Sequence, residues 1–274
     1  MLSIKKLREK YRYSVILLRE LVKTDFKLRY EGSALGMIWS TLRPLLLFSI
    51  MYVVFVHFLR FGEGVPNFAV SLLLAIVLWG FFQETASQGM MAIVARGDIL
   101  RKINIPKYIV VVSASVSAFI NLAINLVIVI VFALISGVQF SWLALLVIPI
   151  IIELYVFALS VALLLSSLYV KFRDLAHIWD VIMQAWYFAT PIIYPLSMVA
   201  AMSPVVAKIM LFSPMAQIIQ DARFVMVDQV QTTTVWSVMP NPLLVMTPII
   251  IVAVVATISV LYFRKSSKKF TELV

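Results

Sequence analysis

The sequence predicts an all-α polytopic membrane protein with six transmembrane helices and both ends in the cytosol. Three observations carry that expectation. The 274 residues are 63% hydrophobic and only 13% charged, well outside the composition of a soluble domain. Six apolar runs are each long enough for a hydrocarbon core that needs ~20 helical residues. Of the 23 lysines and arginines, only Arg60, Lys208 and Arg223 fall outside the segments that those runs would place on one side. Basic residues near span ends are held in the cytosol, so the asymmetry orients the chain N-in and C-in.

Residues 1–36 are mixed rather than apolar. Leu7, Tyr11, Val15, Leu18, Val22 and Phe26 recur at three- and four-residue steps among many basic residues, the pattern of an amphipathic helix. Such an N-terminal interface helix lies in the headgroup plane or packs against the rest of the protein. It lacks the short apolar core and small-residue cleavage site of a secretory signal, so it is expected to stay in the mature chain.

The spans are expected over 37–60, 66–92, 108–135, 142–170, 175–194 and 243–263. Arg43 lies near the cytosolic end of the first, where a long side chain can snorkel. The third and sixth hold no charged residue, and the second, fourth and fifth hold only Glu84, Glu153 and Asp180 respectively. Trp142 opens the fourth, where an interfacial ring belongs.

Between the last two spans, 195–242 is the one long external segment. Pro195, Pro204 and Pro214 cut its apolar part into pieces too short to cross a bilayer. It is either a re-entrant helical hairpin over 195–225, dipping in from outside, or an amphipathic flap on the outer surface. The length argument favours the hairpin, because irregular backbone at membrane depth survives only when buried or lining a wet cavity. With no linker and no soluble domain, the organisation is a cytosolic amphipathic region, 1–36, and one membrane domain, 37–274.

Much chemistry is excluded. There is no cysteine, and none of the eight glycines precedes a lysine, so the chain has no P-loop for ATP. The net charge of +10 punctuates hydrophobic runs, which suits an anionic leaflet rather than nucleic acid. His57 and His177 lie on different spans near opposite faces, no HExxH occurs, and the intramembrane acids sit on three separate helices. Neither catalysis nor a cofactor or metal bound by this chain is expected.

Three constellations remain. Before and into the first span, Arg29 and Tyr30 lead to Gly32 and Gly36, a small-residue face that permits close contact or a bend, then to Trp39 and Arg43 at the interface. In the basic loop 96–107, Asp98 can cap a short helix that Pro106 closes, with Ile99 and Ile103 on one face beside Arg96, Arg101 and Lys102. On its own this loop reads as an ordinary positive-inside connection. Finally, aromatic residues cluster as Phe48 and Tyr52, Phe81 and Phe82 before Glu84, and Trp186, Tyr187 and Tyr194. Rings of this kind pack on sugar C–H faces, or serve the more frequent purposes of helix packing and lipid contact.

The stretch LRYEGSALGMIWSTLRP at 28–44 resembles the start of the first span in type-2 ABC exporter permeases, most closely those that move cell-surface polysaccharides: O-antigens, capsules and wall teichoic acids. ARGDILRKINIPK (95–107), KFRDLAHIWDVIMQ (171–184), TPIIYP (190–195) and SPMAQIIQDAR (213–223) are similar to that family in the same order. The resemblance implies a permease without its own nucleotide site, in the bacterial cytoplasmic membrane. It also implies a second copy of the chain and two copies of an ATPase subunit that binds ATP and Mg. The cargo would be a lipid-linked polysaccharide, the 96–107 loop a coupling helix, 29–43 a cytosolic gate and the aromatic groups with Glu84 a conduit. Other readings are a permease for drugs or small lipids, a polytopic enzyme acting on lipid-linked glycans, and a passive channel.

Overall fold

Long uninterrupted apolar runs, bounded by glycine, proline or charge, become long helices because a backbone without water must bond to itself. The structure, a computed structural model, describes residues 14–25, 27, 36, 38–102, 105–239 and 241–270. Every regular element among them is a helix. The order is α1 (14–25), α2 (Ile38–Met51, continued by a π-helical stretch Tyr52–Phe58), α3 (Phe68–Ala95), α4 (Gly97–Lys102) and α5 (Tyr108–Ile135). There follow α6 (Val147–Tyr169, preceded by a 3-10 turn Trp142–Leu146), α7 (Leu175–Ala189), α8 (Leu196–Met202) and α9 (Pro204–Leu211). The remainder is α10 (Pro214–Met226), α11 (Val235–Val238), α12 (Pro242–Val245) and α13 (Thr247–Ser266).

Among the described residues, five helical stretches are long and apolar enough to cross a membrane: Ile38–Phe58, Phe68–Ala95, Tyr108–Ile135, Trp142–Tyr169 and Thr247–Ser266. The chain is a multi-pass helical membrane protein. The expected span over 175–194 is not among the five. Its helix, α7, stops at Ala189 after 15 residues, about 22 Å against a hydrocarbon core of about 30 Å. The cause is local: Thr190 turns extended (φ −98°, ψ 137°) ahead of Pro191, as a residue preceding proline prefers.

Helix α3 is the centre of the bundle, packed against α5 and α6, with α13 on the far side of α6. Gly89 makes the α3–α6 crossing close. A Cβ built there would lie 2.6 Å from the Ala162 Cβ, so only glycine permits this approach. By contrast α2 buries no residue and α7 only Trp179 and Met183, so both lie at the edge.

The basic segments meet at one end of the bundle. Arg96 pairs with Asp25, Lys107 donates to the Ser267 carbonyl at 2.6 Å, and Lys171 lies 5.8 Å from the Tyr262 ring. At the opposite end Gln229 donates to Ser141, and Val227 packs beside Val70, Ala133 and Val138. The expected basic end is therefore a physical cluster, not only a sequence pattern.

Ser-Pro and Asn-Pro pairs start three of the later helices: Ser203-Pro204, Ser213-Pro214 and Asn241-Pro242. Proline at the first helical position loses only an amide that would lack a partner anyway. The part of the expected external segment proposed to re-enter, 195–225, is consequently three short helices. α8 and α9 pack on each other across an extended Ser203, and α10 runs inside the bundle against α3 and α6 with all its residues but Phe224 buried. Arg223, expected on the outer surface, is enclosed. It is 3% exposed and donates to the carbonyls of Ser71, Pro191 and Ile192 and to Gln220 Oε1, at 2.7–3.2 Å.

Candidate functional site

A polar groove of about 640 Å³ runs between α2, α3, α5 and α7. Its back wall is one face of α3. Gly80, Gln83, Glu84, Ser87 and Gln88 fall at the three- and four-residue spacing that puts side chains in a stripe. Gly80 leaves the wall open, with no atom within 4 Å of where a Cβ would sit. Asn121 and Asn125, four apart on α5, stand beside that stripe, and Trp39, Ser40 and Arg43 of α2 form the front edge. Asp180 and Tyr187 of α7 line the other flank.

These polar groups are tied to one another. Asn121 Nδ2 donates to Glu84 Oε1 at 2.9 Å, and Gln88 Nε2 to the same oxygen at 3.2 Å. Asn125 Nδ2 donates to the Asn121 carbonyl at 2.8 Å and to the Ser40 carbonyl at 3.3 Å, joining α5 to α2. Trp179 Nε1 donates to Ser87 Oγ at 3.3 Å, joining α7 to α3. A carboxylate at membrane depth is costly unless bonded, and two amide donors meet that need here. Gln83 is exposed and Ser87 and Gln88 partly so, giving a polar strip that can exchange hydrogen bonds with a hydroxyl-rich ligand, while Asn121 and Asn125 are buried behind it.

The aromatic residues expected at a conduit separate into three groups. Phe81 and Tyr187 line the groove. Phe82 is fully enclosed, stacked on Phe157 (5.3 Å between ring centres) and edge-on to Trp186 (5.2 Å). Trp186 also donates to Ser213 Oγ at 3.2 Å, so these two rings hold the groove's wall against α6 and the start of α10. Trp79 joins the two groups by an edge-on contact to Tyr187 at 5.6 Å. Phe48 and Tyr52 lie further along α2, where Phe48 packs edge-on to Phe132. Tyr194 sits beyond α7, donating to the Phe188 carbonyl at 2.9 Å.

The residues expected at the gate divide similarly. Trp39 and Arg43 line the groove. Gly36 turns the chain just before α2 with a left-handed φ of +52°, a conformation glycine adopts without strain, and its carbonyl accepts from the Trp39 amide at 3.3 Å. Arg29, Tyr30 and Gly32 lie outside the described residues, as does Ile103 of the coupling loop.

In that loop, α4 is a short helix with Asp98 in its first turn and Arg101 and Lys102, both exposed, in its last. The side chain of Ile99 is outside the described set. Leu100 anchors α4 in a cluster with Val110, Phe263 and Phe270. Arg96 faces inward. It donates to Ser113 Oγ at 2.9 Å and pairs with Asp25, tying α1 to α3 and α5, and burial lowers its pKa from the ordinary arginine value. Pro106 is half-buried at the start of α5.

Sequence reasoning did not single out Gln83, Ser87, Gln88, Asn121 or Asn125. Their signal was present: uncharged polar residues recurring at helical spacing inside apolar runs, on the same helix as Glu84 or the next.

The family model described as "ABC-2 type transporter" matches residues 16–227. The chain is 30% identical over 194 residues to the O-antigen export system permease protein RfbA of Myxococcus xanthus, covering 71% of this chain and 74% of that one. It is also similar to two proteins of the same name from Klebsiella pneumoniae. They are 28% and 27% identical, each over 188 residues, covering 68% of this chain and 72% of the relative.

Proposed function

We propose, because this chain belongs to the ABC-2 type transporter family, that it is the membrane permease of an ATP-driven exporter of a lipid-linked polysaccharide of the O-antigen class. A permease rather than an enzyme is what both the family and the relatives' names indicate. The observation that carries the substrate class is the groove between α2 and α7. It offers amide and hydroxyl groups from Gln83, Ser87 and Gln88 beside the rings of Trp39 and Tyr187. A glycan presents hydroxyls around its edge and C–H groups on its faces, and both kinds of surface find a partner there. No bond in the wall demands one sugar, so a chain of repeating units can move past it.

The groove is bounded by one chain on one side only, and α2 and α7 flank it with faces rich in exposed apolar residues such as Ile50, Ile178 and Val181. In this reading a second copy of the chain closes the conduit. The basic end faces the cytosol, and a partner ATPase that binds ATP and Mg docks on α4 and α1. Its closure tilts α3 and α5, to which α4 and the Arg96–Asp25 pair are joined. The chain then crosses six times, with α7 and the segment that follows it forming the fifth crossing together. α8–α10 form a re-entrant outer gate.

The test is export itself. The chain is expressed with its ATPase partner in a bacterium lacking its own O-antigen permease, and surface polysaccharide is measured beside the cytosolic lipid-linked pool. Surface glycan with a depleted internal pool is expected. An unchanged pool together with efflux of a small hydrophobic dye would replace this reading with that of a permease for small amphiphiles.

A further inference from the structure

A second cavity, about 570 Å³, opens at the basic end of the bundle between the start of α5, the end of α6 and the end of α13. It shares no lining residue with the polar groove. Its apolar wall is formed by the buried Leu163 and Phe263, the half-buried Val112 and, on the open side, Val260, and its basic edge carries Lys107, Arg264 and Lys268. No carboxylate lines it among the described residues. Lys107 is fixed in place by its bond to the Ser267 carbonyl and lies 6.0 Å from the centre of the Phe270 ring. Arg264 and Lys268 are exposed and four residues apart where α13 passes into its terminal 3-10 turn. Like charges at that spacing repel, and the repulsion is relieved when an anion sits between them.

A free phosphate would use the cations but not the apolar wall. A neutral lipid would use the wall but not the cations. The combination fits one amphiphile, with a phosphate head at the basic edge and hydrocarbon along the wall. Basic pockets between helices at the cytosolic face take anionic lipid headgroups on these terms. We infer that this cavity holds an anionic phospholipid of the inner leaflet, its phosphate between Arg264 and Lys268 and its acyl chains along Val112, Val260 and Phe263. Because Lys107 immediately precedes α5, the bound lipid braces the start of α5 against the end of α13.

The experiment is native mass spectrometry of the full-length chain in detergent, supplied with equal phosphatidylglycerol and phosphatidylcholine. The expected result is about a tenfold preference for phosphatidylglycerol. That preference should fall to parity in the Arg264→Gln/Lys268→Gln double variant. It should fall equally in Val260→Trp, which crowds the apolar wall and leaves the charges. A Lys171→Gln/Arg173→Gln control at the same end should keep it. Retention of the preference in either cavity variant, or its equal loss in the control, overturns the inference. So does displacement of phosphatidylglycerol by inorganic phosphate, which would make this a plain anion site. Displacement by an equimolar polyprenyl phosphate would instead assign the cavity to the substrate's lipid carrier.

Discussion

Arg223 on α10 donates through Nη2 to the carbonyl of Ile192 at 2.7 Å, joining the most deeply buried cation of the described chain to the irregular link after α7. The same guanidinium reaches Pro191, Ser71 and Gln220. The backbone after Thr190 is not helical, so its carbonyls lack intrahelical donors. At this depth an unbonded carbonyl is costly, and one planar side chain with five donors serves several at once. Arg223 therefore fixes where α7 ends and where α10 lies.

Replacing Arg223 with leucine should strand those carbonyls and lower stability by about 3 kcal/mol, with lysine intermediate because it keeps the charge but not the fork. The check is the thermal midpoint of the purified chain by size-exclusion fluorescence. If the lysine variant matched wild type, the planar geometry would be irrelevant.

Glu84 and Asn121 form the centre of the groove's wall. Glu84→Gln keeps an acceptor for Asn121 and Gln88, so the wall should hold its shape and polysaccharide export should fall only slightly. Glu84→Ala removes the acceptor that Asn121 and Gln88 share, at about 1–3 kcal/mol for the buried Asn121 donor, and export should drop severely at equal membrane abundance. Surface glycan on gels, normalised to permease level, separates the two. Equal loss in both would mean that the negative charge itself serves transport.

The Gly89–Ala162 crossing offers a cleaner energetic test. Gly89→Ala places a methyl 2.6 Å from the Ala162 Cβ, so α3 and α6 must separate. A cost of about 1–3 kcal/mol is expected from such overpacking. Ala162→Gly in the same chain should recover most of it, giving a favourable coupling in a double-mutant cycle. Additive losses would show that the two helices do not set each other's distance.

Much of this arrangement was legible in the sequence, and what was not has a physical reason. The runs expected at 66–92, 108–135 and 142–170 become Phe68–Ala95, Tyr108–Ile135 and Trp142–Tyr169, because nothing polar enough interrupts them. The 175–194 run reads as one span by hydropathy, yet Pro191 ends its helix early. α10 falls within 195–225, the stretch expected to dip in from outside, although it carries Gln217, Gln220, Asp221 and Arg223. It is buried because those groups bond to each other and to nearby backbone, as Gln217 does with Asp221 at 2.6 Å. In the groove, Trp39, Arg43, Phe81, Glu84 and Tyr187 stand out by charge or ring, while the asparagines and glutamines carry neither and are isolated within long apolar runs. Phe82 and Trp186 look the same as Phe81 and Tyr187 in sequence. Only the rotation of α3 and α7 sends them to the other side.

The last prediction concerns how force enters the bundle. α4 exposes Arg101 and Lys102 at its C-terminal turn, while Leu100 and the neighbouring Arg96 hold it to the body. A handle of this kind has a face that is pushed and a root that transmits. Charge reversal of the face, Arg101→Glu with Lys102→Glu, should weaken docking of the ATPase and uncouple its hydrolysis from export, with a smaller fall in the permease's thermal midpoint than cutting the root causes. Cutting the root should do something different. Asp25→Asn leaves the half-buried Arg96 guanidinium without its charged partner and should cost about 2 kcal/mol, lowering the midpoint and loosening α1 while the α4 face keeps its share of the docking. ATPase rate, export and midpoint measured on both variants distinguish the two. If reversal at 101 and 102 left export and ATPase coupling intact, α4 would be an ordinary basic connection, held in the cytosol by its charge and doing nothing more.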